Sequence, residues 1–111
     1  MTTPRPGRRA RGSTTGRPEM ALFDLLGRRW ALRVIWELRE ETLSFRALRE
    51  RCDSMSTSVL NERLAELRDA EIVELSPQGY RLTREGRALL RDLQPLKRWA
   101  TRWARRVGAE R

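Results

Sequence analysis

The sequence predicts a mainly α fold with a small β-hairpin wing: a winged helix-turn-helix followed by a C-terminal dimerisation helix. Three observations carry this. Apolar residues recur at helical spacing through most of residues 19–107, interrupted where "IVELSPQGYRL" brackets a Pro and Gly turn. Two short helical stretches separated only by "DSMS" precede that hairpin. The final stretch carries an apolar seam at Leu89, Leu93, Leu96, Ala100, Trp103 and Val107, spaced 4, 3, 4, 3, 4, with Trp99 beside it.

The elements follow in order. "MTTPRPGRRARGSTTGRP" has three of the five Pro, three of the seven Gly and no aliphatic residue beyond Met1 and Ala10, so residues 1–18 read as a disordered basic arm. "EMALFDLLG" is a short helix stopped by Gly27. "RRWALRVIWELRE" has a high apolar share at helical spacing and should be the central buried helix. "TLS" is an extended link, and Ser44 can cap "FRALRERC", where Phe45, Leu48 and Cys52 share a face. Ser56 can cap the next helix, running to Ala70, with Leu60, Leu64 and Leu67 as its apolar stripe and Val59 alongside. "IVEL" and "YRL" form the hairpin around "SPQG", and Thr83 caps a last helix. Pro95 should kink that helix or start a new one, dividing a domain at 19–94 from a dimerisation helix at 95–111.

Charge is unevenly placed. The chain has 23 Arg, one Lys and no His, for a net charge of +9. Residues 1–18 contribute +5, residues 19–75 contribute −3 and residues 76–111 contribute +7. Such ends suit an acidic polymer, and the arginine fork suits phosphate and guanine. One Cys excludes an internal disulfide and a cysteine-rich zinc site. No metal or cofactor is implied. No apolar segment approaches the length that spans a bilayer, and no apolar run follows the first arginines as in a signal peptide, so a cytoplasmic, nucleoid-associated protein is expected. Without His, an activated nucleophile, a glycine-rich phosphate loop or a paired carboxylate, an enzyme is not expected.

"ALFDLLGRRWALRVIWEL", "SFRALRERCDSMSTSVLNERLAELRDAEIVEL" and "YRLTREGRALL" occur in this order and spacing. Together they resemble the HxlR-type winged helix transcriptional regulators, relatives of the MarR group, over about residues 18–104. The resemblance rests on Gly27–Trp30, on Ser56, Leu60, Asn61, Arg63 and Leu64, and on Leu82–Thr83 followed by Gly86. It implies a bacterial or archaeal homodimer that binds operator DNA. Two departures stand out. Redox-sensing members carry a Cys just ahead of the first helix, before a Pro, where this chain has Arg17 before Pro18. Wings in the family are usually longer than "SPQG".

In such a fold the helix at 56–70 enters the major groove N-terminus first. With its leucines facing inward, Ser56, Thr57, Ser58, Asn61, Glu62 and Arg63 are left to face DNA. Hydroxyls and free N–H groups at a helix start bind phosphate without positive charge. Asn61 could pair with adenine, Arg63 with guanine, and Glu62 could accept from cytosine. Glu66 and Asp69 fall where the helix would leave the groove, and the plainer reading of the whole face is a solvated one. Arg81 and Arg84, flanking the wing and the next helix start, are expected at the phosphate backbone. The arm could follow that backbone or enter a minor groove. Cys52 reads as a buried inert thiol, with a sensor thiol beside Arg51 as the sharper alternative. Trp30, Trp36, Trp99 and Trp103 read as core or dimer contacts; a pocket for a small aromatic effector is the alternative. The basic side of the last helix, Lys97, Arg98, Arg102, Arg105 and Arg106, either faces solvent or makes a second DNA-backbone contact.

The function expected is therefore a sequence-specific regulator acting as a homodimer on a pseudo-palindromic operator of double-stranded DNA. The rivals are a non-specific nucleic-acid-binding protein and a winged helix used as a protein-interaction module.

Overall fold

The computed structural model describes residues 16–108. The expected basic arm thus lies, over residues 1–15, outside the described residues, as do 109–111. Five helices and one hairpin follow one another: α1 (Pro18–Leu26), α2 (Ala31–Glu37), α3 (Phe45–Arg51), α4 (Thr57–Asp69), β1 (Val73–Ser76), β2 (Gly79–Leu82) and α5 (Arg84–Arg106). This is the winged helix-turn-helix order. No described helix is long and apolar enough to cross a membrane.

The caps lie where hydroxyls predict them. Ser44, Ser56 and Thr83 each accept from a backbone N–H three residues on, Ala47, Val59 and Gly86 respectively. Pro18 opens α1 at its first turn, where a missing N–H costs nothing. The helix-turn-helix corner is tighter than "DSMS" suggests. Asp53 and Ser54 both take positive φ, 58° and 54°. Arg49 holds the corner by donating from Nε to the Met55 carbonyl at 2.6 Å and from Nη2 to that of Ser54 at 3.3 Å.

β1 and β2 pair antiparallel from Val73↔Leu82 to Ser76↔Gly79. "TLS" does more than link: Leu43 bridges to Tyr80 through two backbone bonds of 2.9 and 2.7 Å, giving the hairpin a rudimentary third strand. That close approach needs Gly79, at φ 134°, where a Cβ would meet the Leu43 carbonyl oxygen at 2.5 Å. Thr83 Oγ1 donates to the Glu71 carbonyl, and Gly86 sits so near Ile72 that a Cβ would fall 2.1 Å from its carbonyl oxygen. The start of α5 is thereby fixed to the base of the wing.

The core is built from Val34, Ile35, Leu48, Leu60, Leu64 and Leu67, with Cys52 and Val73 also fully covered. Of the two outcomes expected at Pro95, a new helix start is not what α5 shows. One helix runs across Pro95, so the boundary expected there falls inside it. Pro95 is exposed, as is Arg91 four residues before it, whose carbonyl a proline cannot serve with an amide. Leu89 and Leu90 pack on the core, whereas almost every residue from Gln94 to Val107 is exposed. The far half of α5 projects from the domain.

Candidate nucleic-acid interface

α4 divides its residues cleanly. Leu60, Leu64 and Leu67 are buried, and Ser56, Thr57, Ser58, Asn61 and Glu62 are exposed. The spacing explains this, since leucines four and three apart line one side of a helix. Ser56 Oγ accepts from the Val59 amide at 3.4 Å and lies 3.0 Å from Ser58 Oγ. The outward face of the first two turns therefore offers hydroxyls, one carboxamide and one carboxylate, with no cation among them.

Arg63 is not on that face. Expected to point at guanine, it turns inward, with 11% of its side chain exposed. Its Nε donates to the Arg29 carbonyl at 2.9 Å and its Nη1 to Glu66 Oε1 at 2.5 Å. Glu66 is also displaced from its expected place at the groove exit. It is buried, and its second oxygen accepts from Arg28 Nη1 at 2.6 Å. Arg28 in turn reaches Asp24 at 3.4 Å. One carboxylate thus joins two guanidinium groups between α4 and the α1–α2 loop. Buried charges persist only when paired like this.

The same loop holds Trp30 at φ 77°, an uncommon conformation for a bulky residue. Sequence reasoning does not single out Arg28 and Glu66 as site residues; the Arg63-to-Glu66 spacing of three, a helical ion-pair distance, is a signal that could have found Glu66, while Arg28, 38 residues from it, has none. Arg81 is exposed at the hairpin but bonds its cross-strand neighbour Glu74 at 2.6 Å, which offsets its charge. Arg84, the first residue of α5, is exposed with no ion pair or side-chain hydrogen bond among the described residues.

The expected dimer seam splits in two. Leu89 and Leu93 are half-buried, and Leu89 packs on the chain's own core. Leu96, Trp99, Ala100, Trp103 and Val107 are exposed. Trp99 and Trp103 stack on each other, with centroids 5.8 Å apart and planes 13° from parallel. Between α2 and α5 lies an open, largely apolar cleft of about 250 Å³, lined by Leu32, Ile35, Trp36, Leu90, Leu93 and Leu96, with Gln94 and Lys97 at its rim. Lys97 Nζ stands 5.8 Å from the Trp36 ring centre. Cys52 is wholly buried, and that burial pushes its thiol pKa up despite the nearby Arg33. It has the character of a core residue, not a reactive one. No group of three or more potential metal ligands occurs among the described residues.

Comparison with known proteins bears on the family. The HxlR-like helix-turn-helix family profile matches residues 25–107. The HTH-type transcriptional regulator YodB of Bacillus subtilis is 36% identical over 91 residues, 75% of this chain and 81% of that one. An HTH-type transcriptional regulator of Methanocaldococcus jannaschii, itself uncharacterised, is 27% identical over 88 residues, covering 76% of this chain and 83% of that one. The crystal structure of quinone-bound YodB superposes with a TM-score of 0.71 at 37% identity, over 77% of this chain and 98% of that one.

Proposed function

The chain belongs to the HxlR-like helix-turn-helix family of transcriptional regulators, and from that premise we propose that it reads an operator through α4 as a homodimer. The observation that carries this reading is the uncharged, hydrogen-bonding start of α4, where Ser56, Thr57, Ser58 and Asn61 are all exposed and Glu62 follows them. Hydroxyls and first-turn amides fix the helix on phosphates, Asn61 pairs with a base edge and Glu62 accepts from another. Arg63 acts as a positioning residue, holding α4 against the Arg29 carbonyl. Arg81 and Arg84 engage the backbone beside the wing, Arg81 by leaving Glu74.

A second copy covers the exposed apolar side of α5 at Leu96, Trp99, Ala100, Trp103 and Val107, continuing the half-buried Leu89 and Leu93. Two α4 helices then read half-sites about one helical turn apart on a pseudo-palindromic operator. The cleft beside Trp36 is suited to a small flat aromatic effector, held without covalent chemistry because Cys52 is buried. The basic arm adds sequence-independent attraction.

The test is titration of the purified protein with its own upstream intergenic DNA against a scrambled duplex, at several salt concentrations. Selective binding is expected, and Asn61→Ala should erode that selectivity by about 1–3 kcal/mol, the worth of a bidentate base contact. Equal affinity for both duplexes, unchanged in the variant, would replace this reading with charge-driven, non-specific binding.

A further inference from the structure

The arginines of this chain fall into two populations. Before the wing most are internal partners, Arg29 over the Trp30 ring and the exposed Arg68 being the exceptions. Arg28, Arg33, Arg39, Arg46, Arg51 and Arg63 all pair with carboxylates, and Arg49 is bound to carbonyls. On α5 the pattern reverses. Arg91, Arg98, Arg102 and Arg105 are exposed and have no ion pair or side-chain hydrogen bond among the described residues. At 100° per residue these four lie within about 60° of one another, forming one stripe about 21 Å long. No acid shares it: Glu85 and Asp92 point toward the other side of the helix by the same count.

Four like charges on one helix face repel, a cost that ion pairs remove elsewhere in this molecule. The stripe also leads away from the wing along α5. Arg98 is 14 residues along α5 from Arg84, about 21 Å at 1.5 Å per residue. Arg91, seven residues along, stands about 10 Å off, but for Arg98, Arg102 and Arg105 the separation exceeds twice the roughly 8 Å screening length at physiological salt, so a duplex held at the wing exerts little pull on those three.

We infer that the Arg91–Arg98–Arg102–Arg105 stripe binds the phosphate backbone of a second DNA duplex, so that one protein bridges two DNA segments. This rests on the DNA-binding reading for its choice of polymer. Charge complementarity is the ground for it. Each guanidinium presents a fork of N–H donors matched to phosphate oxygens. The steps along the stripe of about 10, 6 and 5 Å require no register on a lattice with a phosphate every 3.4 Å per strand. The apolar side of α5 lies away from the stripe, so pairing with a second copy leaves the arginines outward. An anionic membrane would instead require that apolar side to insert.

The test uses the full chain. A bead-bound duplex carrying the upstream intergenic sequence is loaded with protein, and retention of a second, fluorescent duplex of random sequence, about three helical turns long, is read. Wild type should retain it. The Arg91→Gln, Arg98→Gln, Arg102→Gln, Arg105→Gln variant should lose that retention by about tenfold or more while still loading selectively on the bead duplex. Gln keeps the helix, and the arginines of the N-terminal arm are unchanged in this variant. The salt dependence of second-duplex capture should also flatten, by about 0.9 in log–log slope for each phosphate no longer neutralised. Retention equal to wild type in the variant would overturn the inference. So would loading without any capture, or capture only of phosphatidylglycerol vesicles. Selective loading that fails while random duplexes are still captured in a stripe-dependent way would sink the operator reading and leave this one standing.

Discussion

α4 and α5 are both amphipathic, yet they use the same residue types in opposite ways. α4 buries its leucines within its own chain and turns one ion pair inward: Arg63 and Glu66 are both largely covered and bonded to each other. α5 leaves Leu96, Trp99, Trp103 and Val107 open and turns to solvent arginines that have no ion pair among the described residues. The lesson concerns division of labour. A helix that reads DNA, as proposed for α4, needs a fixed orientation and a face that discriminates, and the inward Arg63–Glu66 pair serves such framing. An attracting or pairing helix needs exposed charge and exposed apolar surface, and α5 has both.

The largest expected effect breaks the framing in α4. Glu66→Ala leaves the guanidinium groups of Arg28 and Arg63 without their shared carboxylate. Stability should fall by about 3–5 kcal/mol, toward the low end because Asp24 still reaches Arg28. Chemical denaturation measures it, with Asp92→Ala on exposed α5 as the comparison that should change little. Similar losses for the two would mean that the buried charge does not frame α4.

A second pair of variants separates the two apolar sides. Leu64→Ala removes a buried side chain and should cost about 2–5 kcal/mol at any protein concentration. Trp103→Ala removes an exposed ring, so its cost should be confined to self-association and vanish on dilution. Sedimentation or light scattering across a concentration series distinguishes them. A concentration-independent loss for Trp103→Ala would remove α5 as the pairing surface.

How much of this is legible in the sequence can be judged residue by residue. Ser44, Ser56 and Thr83 are legible as caps because capping is local: one hydroxyl reaches an amide three residues on. The leucines of α4 are legible because burial imposes a period. Arg63 is not, because an exposed arginine on DNA and an inward one on a carbonyl have the same local sequence. What decides is the Arg29 carbonyl, 34 residues earlier. Arg28 is illegible for the same reason, its partner Glu66 lying 38 residues away. Continuity through Pro95 is hidden too, since a proline can be accommodated on an exposed helix side that sequence alone does not identify.

A smaller effect sharpens the comparison within α4 itself. Arg63→Ala should lower stability by about 1.5–3 kcal/mol, the usual worth of hydrogen bonds to charged groups, and weaken binding to all duplexes alike. Asn61→Ala should leave stability within about 0.5 kcal/mol and change which duplex is preferred. Denaturation curves and competition titrations on the same two preparations decide between framing and reading. Altered sequence preference in the Arg63 variant, with unchanged stability, would return that residue to the base-contacting set.

The smallest expected effect concerns Cys52, which belongs to the framing half of the molecule. Its burial pushes the thiol pKa upward, with Arg33 opposing and Glu37 and Asp53 assisting. The folded state therefore holds that proton more tightly than the unfolded chain does. Stability from this source is fully present below the unfolded thiol's ordinary pKa, about 8.5, and is lost as pH rises from there toward the folded value. Alkaline denaturation curves of the wild type should thus decline more steeply above that point than those of Cys52→Ala, although the variant starts lower because of its cavity. Thiol alkylation near neutral pH should likewise proceed at the rate of global opening and not faster. Rapid alkylation of the native protein would mean that Cys52 is reachable, and the helix-turn-helix corner beside it would then be the part of the frame that moves.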